Sequence, residues 1–403
     1  MNLFFNTNKF INENITQRNK SFFAADIANN HTQLTAAIEG KSVLVIGGAG
    51  TIGSSYIRAM LPYKPAKLVV VDINENGLTE LVRDCRSRVD INLPADFKSY
   101  PVNFGDAVFK KIFLQDAPFD IVANFAAHKH VRSEKDVYSI EAMIENNVIK
   151  AKAFLDLLIQ HPPKHFFCVS TDKAANPVNI MGASKKLMEE VILAYSNVLP
   201  ITTARFANVA FSNGSLLAGF VERMMKQQPL SSPSDVKRFF VSPDESGQIC
   251  LMACVLGNTG EIFFPKLQEN QMANFGDIAI DFIKANGFEP LLCTTENEAK
   301  LAMENAFTHK QYPVLLFSSN TSGEKLYEEF YTDTEELELA QFESLGIIKN
   351  ARKRTKLELD TIINEIENLF LQNVQKTDVV NLLNKLLPGF QHIETGTNLD
   401  QKM

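Results

Sequence analysis

The stretch Ser42–Gly53, SVLVIGGAGTIG, runs an unbroken apolar segment straight into glycines at 47, 50 and 53. An apolar run without alternation is expected of a strand covered on both faces, as in a parallel sheet. Glycines that directly follow such a strand and open a helix meet the context a dinucleotide-binding turn requires. Gly47 permits the tight turn, Gly50 lets the backbone approach a pyrophosphate, and Gly53 lets helix and strand pack closely. The first helical N–H groups, at Thr51 and Ile52, then face the phosphates with the positive end of the helix dipole. The plainer alternative is a tight strand–helix turn with no ligand.

Outward from that turn the pattern repeats. The segments KLVVVDI (67–73), FKSYPVN (97–103), DIVANFAA (120–127), HFFCVST (165–171) and ITTARFANV (201–209) read as strands. Helical stretches such as NGLTELVRDCRSRV and SIEAMIENNVIKAKAFLDLLIQ separate them. This alternation predicts an α/β fold, a doubly wound parallel sheet of the Rossmann type, over residues 41–210. Asp72 closes the second strand, where a carboxylate accepts hydrogen bonds from ribose hydroxyls and repels a 2′-phosphate. The cofactor expected is therefore NAD rather than NADP. Arg83 and Arg86, a helix away, are expected to face solvent or pair with acids.

The polar, Asn-rich residues 1–40 read as a partly helical arm. Beyond about 210 the alternation gives way to short elements and proline-rich turns (QQPLSSPSD), which predicts a smaller substrate lobe over 211–330. Residues 331–403 read as a helical C-terminal extension carrying LELDTIINEIENLFLQNV and DVVNLLNKLL, then a disordered polar tail. These helices would cap the core or build an interface, and a homo-oligomer is expected.

The 403-residue chain, 45% hydrophobic and 22% charged, can bury a large core divided between two lobes. A net charge of −7 leaves no broad basic excess for nucleic acid. No apolar run reaches the roughly 18 to 20 residues of a membrane span, and the first residues lack the basic start and apolar core of a signal peptide. The expected setting is cytoplasmic. Cysteines at 85, 168, 250, 254 and 293 form no zinc set and are expected to be buried free thiols. His128-Lys129-His130 offers a His-x-His without a third ligand, so no metal is expected.

The stretch VSTDKAANPVNIMGASKK (169–186) carries the chemistry. Thr171-Asp172-Lys173 follows the fifth strand, at the sheet edge where open α/β folds place their sites. Adjacent Asp and Lys can exchange protons if burial and mutual charge bring their pKa values toward neutrality. The competing reading is a helix N-cap followed by a solvent-facing lysine. Four residues before Lys185, where a short-chain dehydrogenase has tyrosine, stands Met181, whose thioether cannot take a proton from an alcohol.

Together with the glycine turn, NFAAHKHV (124–131), STDKAANPVNIMGASK (170–185) and RFANVAFSNGS (205–215) resemble the extended short-chain dehydrogenase/reductase superfamily. Within it they are similar to the nucleotide-sugar 4,6-dehydratases of bacterial polysaccharide biosynthesis, which act on UDP-N-acetylglucosamine; the resemblance covers about residues 40–330. Members with methionine in the tyrosine slot are chiefly large membrane-anchored enzymes with N-terminal spans, and this sequence is expected to be a soluble relative without them. The resemblance implies that Asp172 is the acid toward the C6 hydroxyl, Lys173 the base at C5, and Thr171 a hydrogen-bond partner of the C4 oxygen. Lys185 would hold the nicotinamide ribose, and Met181 would fill the volume of the tyrosine ring. Asn124 and Ala126 would lie beside the nicotinamide, with Asn147 bracing that region. Lys129 and His130 would lie near the substrate or cofactor, and Asn208 would meet the substrate diphosphate. Arg238 suits bidentate phosphate contact, or else is a surface arginine. SGEKLYEE (322–329) matches a late family turn to which residue chemistry assigns no role. A 4-epimerase or a catalytically silent NAD-binding regulator could use the same fold; Asp172-Lys173 with Met181 favours dehydration.

Overall fold

A nine-stranded sheet forms the spine of the computed structural model, which describes residues 5–319, 323, 325 and 327–394. Its first six strands are β1 Ser42–Ile46, β2 Lys67–Asp72, β3 Asp96–Pro101, β4 Ile121–Asn124, β5 His165–Val169 and β6 Ile201–Ala204. Further along the chain come β7 Leu230–Pro233, β8 Glu261–Pro265, β9 Glu289–Cys293, β10 Gln311–Phe317 and β11 Leu345–Ile348. The large sheet runs Leu337–Glu338, β11, β8, β6, β5, β4, β1, β2, β3. Strands β1 to β6 and β8 are parallel, and β11 closes the edge antiparallel to β8. The strand order reverses between β1 and β4, which opens a crevice at their carboxyl ends. The central strands are mostly apolar because both faces are covered; every residue of β4 is buried.

The expected boundaries shift at two places. The sheet extends past residue 210, since β8, from within the stretch expected to form the smaller lobe, and β11, from beyond it, both join it. Residues 337–348, assigned above to a helical extension, supply its outer edge. A four-residue strand such as Leu-Gly-Ile-Ile is too short for its period to separate it from a helix.

The smaller lobe is a three-stranded parallel sheet, β9-β10-β7, with a core that includes Phe220, Leu230, Ile278, Phe282, Tyr312 and Val314. The N-terminal arm is helical in part and clamped along its length. Phe10, Ile11 and Ile15 enter the core of the smaller lobe, whereas Phe23, Leu34 and Ile38 enter the main one. Arg18 grips Glu245 with two hydrogen bonds of 3.1 and 2.8 Å, and Asp26 accepts from the Glu343 and Ser344 amides at 2.7 and 2.8 Å.

Two helices near the C-terminus, Lys356–Phe370 and Lys376–Leu386, lay apolar stripes (Leu359, Ile362, Ile366; Val379, Leu383) onto the main core. They pack on the helix Ile180–Ala194, so they cap the core. Arg354 seals the contact, bonded to Glu190 and donating to Leu386 O at 2.6 Å. The end of the polar tail expected to be disordered, 395–403, lies outside the described residues. All five cysteines are buried and free. Among the described residues no helix is long and apolar enough to cross a membrane.

Helix α1, Thr51–Met60, opens from the glycine turn and is backed by a helix over Pro243–Leu256. A Cβ placed on Gly247 of that second helix would fall 2.2 Å from Ser55 O. Gly247→Ala is therefore expected to overpack this crossing and cost about 1–3 kcal/mol. Thermal unfolding followed by circular dichroism checks this; an unchanged Tm would show that the two helices separate freely.

Candidate active site

The crevice at the β1–β4 reversal is lined by Gly47, Gly50, Thr51, Ile52, Gly53, Asp72, Ala126 and Lys129, among others. Gly47 has φ +75°, and a Cβ there would sit 2.6 Å from Ala126 N. The loops after β1 and β4 therefore meet backbone to backbone, which only glycine allows. At Gly53 a Cβ would lie 2.3 Å from Gly47 O, the close helix–strand packing read from the sequence. At Gly50 the nearest atom is 3.4 Å away, so the protein itself makes no steric demand there. Gly50 is the N-cap of α1 with no side-chain cap, which leaves the first helical N–H groups for a ligand. Asp72 accepts from Ala49 N and Asn74 N, both at 2.9 Å. Its carboxylate thus staples the turn while lining the crevice. A glycine cradle, an uncapped helix start and an acid at the end of β2 are the donor and acceptor set an NAD molecule needs.

The post-β4 loop departs from one expectation. Asn124 is buried and its Oδ1 accepts from Ala126 N at 3.0 Å, so it holds the loop from beneath and does not line the crevice. A strand-end residue can point either way, and here the turn claims its carboxamide. Asn147 is the second brace, accepting from His128 N at 2.8 Å and donating to His128 O at 2.9 Å and Ser184 Oγ at 3.1 Å. Burial pulls the pKa of Lys129 below the usual lysine value. His130 packs against Gly214, where a Cβ would be 3.0 Å from its ring, and Asn213 N donates to Thr51 Oγ1 at 2.9 Å. The segment after β6 therefore reaches the nucleotide turn. No metal-binding cluster occurs among the described residues.

Beside this crevice, the turn after β5 gathers the reactive groups. Thr171 does cap the short turn Asp172–Ala174, yet the lysine does not go to solvent. Asp172 is buried, and its Oδ1 accepts from Thr171 Oγ1 at 2.7 Å, Lys173 N at 2.9 Å and Lys173 Nζ at 3.1 Å. On its other side Lys173 Nζ lies 3.8 Å from Glu328, a buried acid from the SGEKLYEE stretch. Residues 322, 324 and 326 of that stretch lie outside the described residues. Arg238 is no surface arginine: it is buried, 3.9 Å from Glu328, and donates to Lys325 O at 2.8 Å. Burial acts to lower the Lys173 pKa, but the Asp172 and Glu328 carboxylates outweigh it and raise the value. This corrects the expectation of a shift toward neutrality, since two acids share one ammonium. Burial, ahead of all else, raises the pKa of Glu328. Sequence reading missed Glu328, because nothing local marks an acid in a polar turn as buried.

Helix α2, Ile180–Ala194, carries Met181 and Lys185. Met181 is 2% exposed, filling its slot, and its amide donates to Glu134 Oε1 at 2.9 Å. Lys185 is buried with Nζ 2.7 Å from Val169 O, and burial lowers its pKa. Asn208 pairs with Phe240 in a short parallel ladder, on the segment that also carries Arg238.

The family described as polysaccharide biosynthesis protein matches residues 43–350. An uncharacterized membrane protein of Methanocaldococcus jannaschii is 27% identical over 314 residues, 76% of this chain and 85% of its own length. A UDP-N-acetylglucosamine 4,6-dehydratase (inverting) of Campylobacter jejuni is 27% identical over 58% of this chain and 70% of its own. A UDP-glucose 4-epimerase of Rickettsia canadensis is 28% identical over 58% of this chain and 68% of its own. Among solved structures, Pen from Bacillus thuringiensis superposes with a TM-score of 0.63 at 22% identity, over 87% of this chain and 99% of its own. That likeness is one of fold. With the match running from the first strand through the antiparallel edge of the sheet, the chain belongs to the polysaccharide biosynthesis protein family.

Proposed function

We propose that the chain removes water across C5 and C6 of a nucleotide-linked N-acetylhexosamine, with UDP-N-acetylglucosamine the first candidate. The product is a 4-keto-6-deoxy sugar nucleotide for surface polysaccharide. The observation that carries this reading is the buried Asp172–Lys173 pair at the end of β5, beside a methionine where alcohol chemistry alone would need a hydroxyl. The relative named as a UDP-N-acetylglucosamine 4,6-dehydratase supports it. A cytoplasmic setting accords with five free thiols.

NAD, when bound, supplies a hydride acceptor for C4 and a hydride donor for C6. The glycine turn and the start of α1 hold its pyrophosphate, Asp72 its adenosine ribose and Lys185 its nicotinamide ribose. Lys129, His130, Asn208 and Arg238 are assigned to the substrate, its diphosphate above all. Thr171 hydrogen-bonds the C4 oxygen. In the resting pair Lys173 is an ammonium and Asp172 a carboxylate. A proton shift along their 3.1 Å contact gives an amine and an acid. A substrate that excludes water favours this neutral form, because a dry site disfavours separated charges. The amine then takes the C5 proton, made acidic by the C4 ketone, and the acid protonates the departing C6 oxygen. The C4 hydroxyl proton leaves past Thr171 to water as C4 is oxidised. Once C6 is reduced, the Lys173 ammonium returns a proton to C5 and recovers one from water, so the pair ends as it began.

The Rickettsia relative favours a second reading, 4-epimerisation, which needs no acid–base pair at C5 and C6. Incubation with UDP-N-acetylglucosamine separates the two by mass. Loss of one water, with no net accumulation of reduced cofactor, is expected; an isomer of unchanged mass would establish the epimerase instead.

Two variants of the catalytic segment are expected to diverge. Met181→Leu is nearly volume-conserving and should cost under about 1.5 kcal/mol, keeping most activity. Asp172→Asn removes the acid and should lower kcat by a factor on the order of 10² or more. The reverse ranking on the same substrate would remove the proposed proton route.

The pH profile tests the base. With its pKa raised, Lys173 keeps the pair's shared proton to high pH. The kcat is therefore expected to hold into the alkaline range and fall only as that proton is lost and Asp172 can no longer become an acid. Glu328→Gln takes away one of the charges that hold that proton, and the fall should move to lower pH. A profile that stays in place or moves upward would exclude Lys173 as the base.

A further inference from the structure

We propose that His392, from the C-terminal segment, is a positioning residue of the active site that acts through Glu134 on the backbone of Met181. The kinetic side of this proposal rests on the dehydratase reading; its structural side does not.

The segment after the last helix returns to the catalytic loop. Gln391 N donates to Pro177 O at 3.5 Å and Ile393 N to Val178 O at 3.0 Å, while Gly323 N donates to Ile393 O at 2.9 Å. Asn179 Nδ2 completes the circuit by donating to Gly323 O at 2.7 Å. The tail thus lies between the loop that joins Lys173 to Met181 and the turn that leads to Glu328. Between these backbone bonds the side chain of His392 turns inward and is 8% exposed. Its Nε2 is 3.5 Å from Glu134 Oε2, and among the described residues it has no hydrogen-bond partner. At that separation the two groups face each other without a formed hydrogen bond.

Glu134 is itself buried, with Oε1 on the Met181 amide. A buried carboxylate is stable only with a counter-charge or full hydrogen bonding. His392 is the partner its ion pairs offer among the described residues, a cation only when the imidazole is protonated. The amide that Glu134 holds belongs to the first turn of α2, where N–H groups lack helical partners and an anion is favoured. Asn179 holds the next one, Gly182 N, at 2.7 Å. These two contacts set how far α2 is advanced, and so where Met181 and Lys185 stand relative to Lys173. A tyrosine in the slot could anchor itself through its hydroxyl. A methionine cannot, so the register of α2 depends on its backbone partners. Without His392, Glu134 would lose the group that faces its second oxygen and could swing out, and the first turn of α2 would loosen.

The test is a double-mutant cycle in the full-length chain: His392→Ala, Glu134→Gln, and both together. Glu134→Gln keeps an acceptor for Met181 N but needs no counter-charge. His392→Ala alone is expected to lower kcat about tenfold, the scale of a small misplacement at a reacting centre, with KM within about twofold. Hydrogen exchange by mass spectrometry should quicken over 177–185 while the β1–β4 strands keep their protection. In the Glu134→Gln background the same alanine change should do little. An equal effect in both backgrounds, or none in either, would overturn the proposal. Should the wild-type chain dehydrate no sugar nucleotide, the functional reading fails, and the exchange cycle still decides the role of His392.

Discussion

A guanidinium with no exposure to solvent organises the catalytic end of the sheet. Arg205 follows β6 and is 0% exposed. It donates to Glu189 through two bonds of 2.8 Å, to Glu335 through two of 2.9 Å, and to Phe330 O at 3.0 Å. Taking such a cation from water is tolerable only when the whole set of acceptors closes around it. Burial alone would raise the Glu189 pKa, but Arg205 overrides it and brings the value to about 2. Glu189 also accepts from Ser170 Oγ at 2.6 Å, and Ser170 is the residue before Thr171. The turn that carries Asp172 and Lys173 is therefore fixed by a charge network whose parts come from β6, α2 and the segment around 330–335. None of these can move without stranding a buried ion.

Helix α2 is the common member of that network and of several other contacts around the site. Its adjacent acids face two arginines, Glu189 toward Arg205 and Glu190 toward Arg354. Its middle meets the post-β4 loop through Ser184 and Asn147, and its start is held by Asn179 and Glu134. A helix gripped this widely does not need a tyrosine hydroxyl to set its position. Replacing that tyrosine by methionine removes one polar anchor and leaves an apolar plug; the remaining anchors are distributed along three turns. The C-terminal helices belong to the same scheme, since Arg354 ties them to Glu190 and to Leu386.

What could be read from the sequence follows from which forces are local. Strands β1 to β6 were legible because coverage on both faces leaves an apolar run with nothing to interrupt it, and the glycine turn because φ and close packing leave few alternatives. Strands β8 and β11 were not, since their places in the sheet are decided by partners far away in the chain. Side-chain direction was equally hidden. Asn124 stands where expected and points beneath its loop, and Arg238 was left between phosphate ligand and surface residue until Glu328 came into view beside it. The raised pKa of Lys173 depends on that same acid, which local sequence offers no reason to bury.

That raised pKa bears on how chemistry and binding are joined. If Lys173 were poised as a free amine, the site would be reactive whether or not a substrate was present. Held instead as an ammonium between Asp172 and Glu328, it would stay inert until a substrate arrives. The ion pair and its neutral tautomer differ by one proton moved across a single hydrogen bond, so their balance answers to local polarity more than to distance. Water favours the charged pair; a sugar ring that displaces water favours the neutral one. The acid and the base would then arise together, from one event, and only when there is a substrate to receive them. Fixing the turn through Arg205 matters for this reason. A proton can pass between two side chains on demand only if nothing else about their geometry changes.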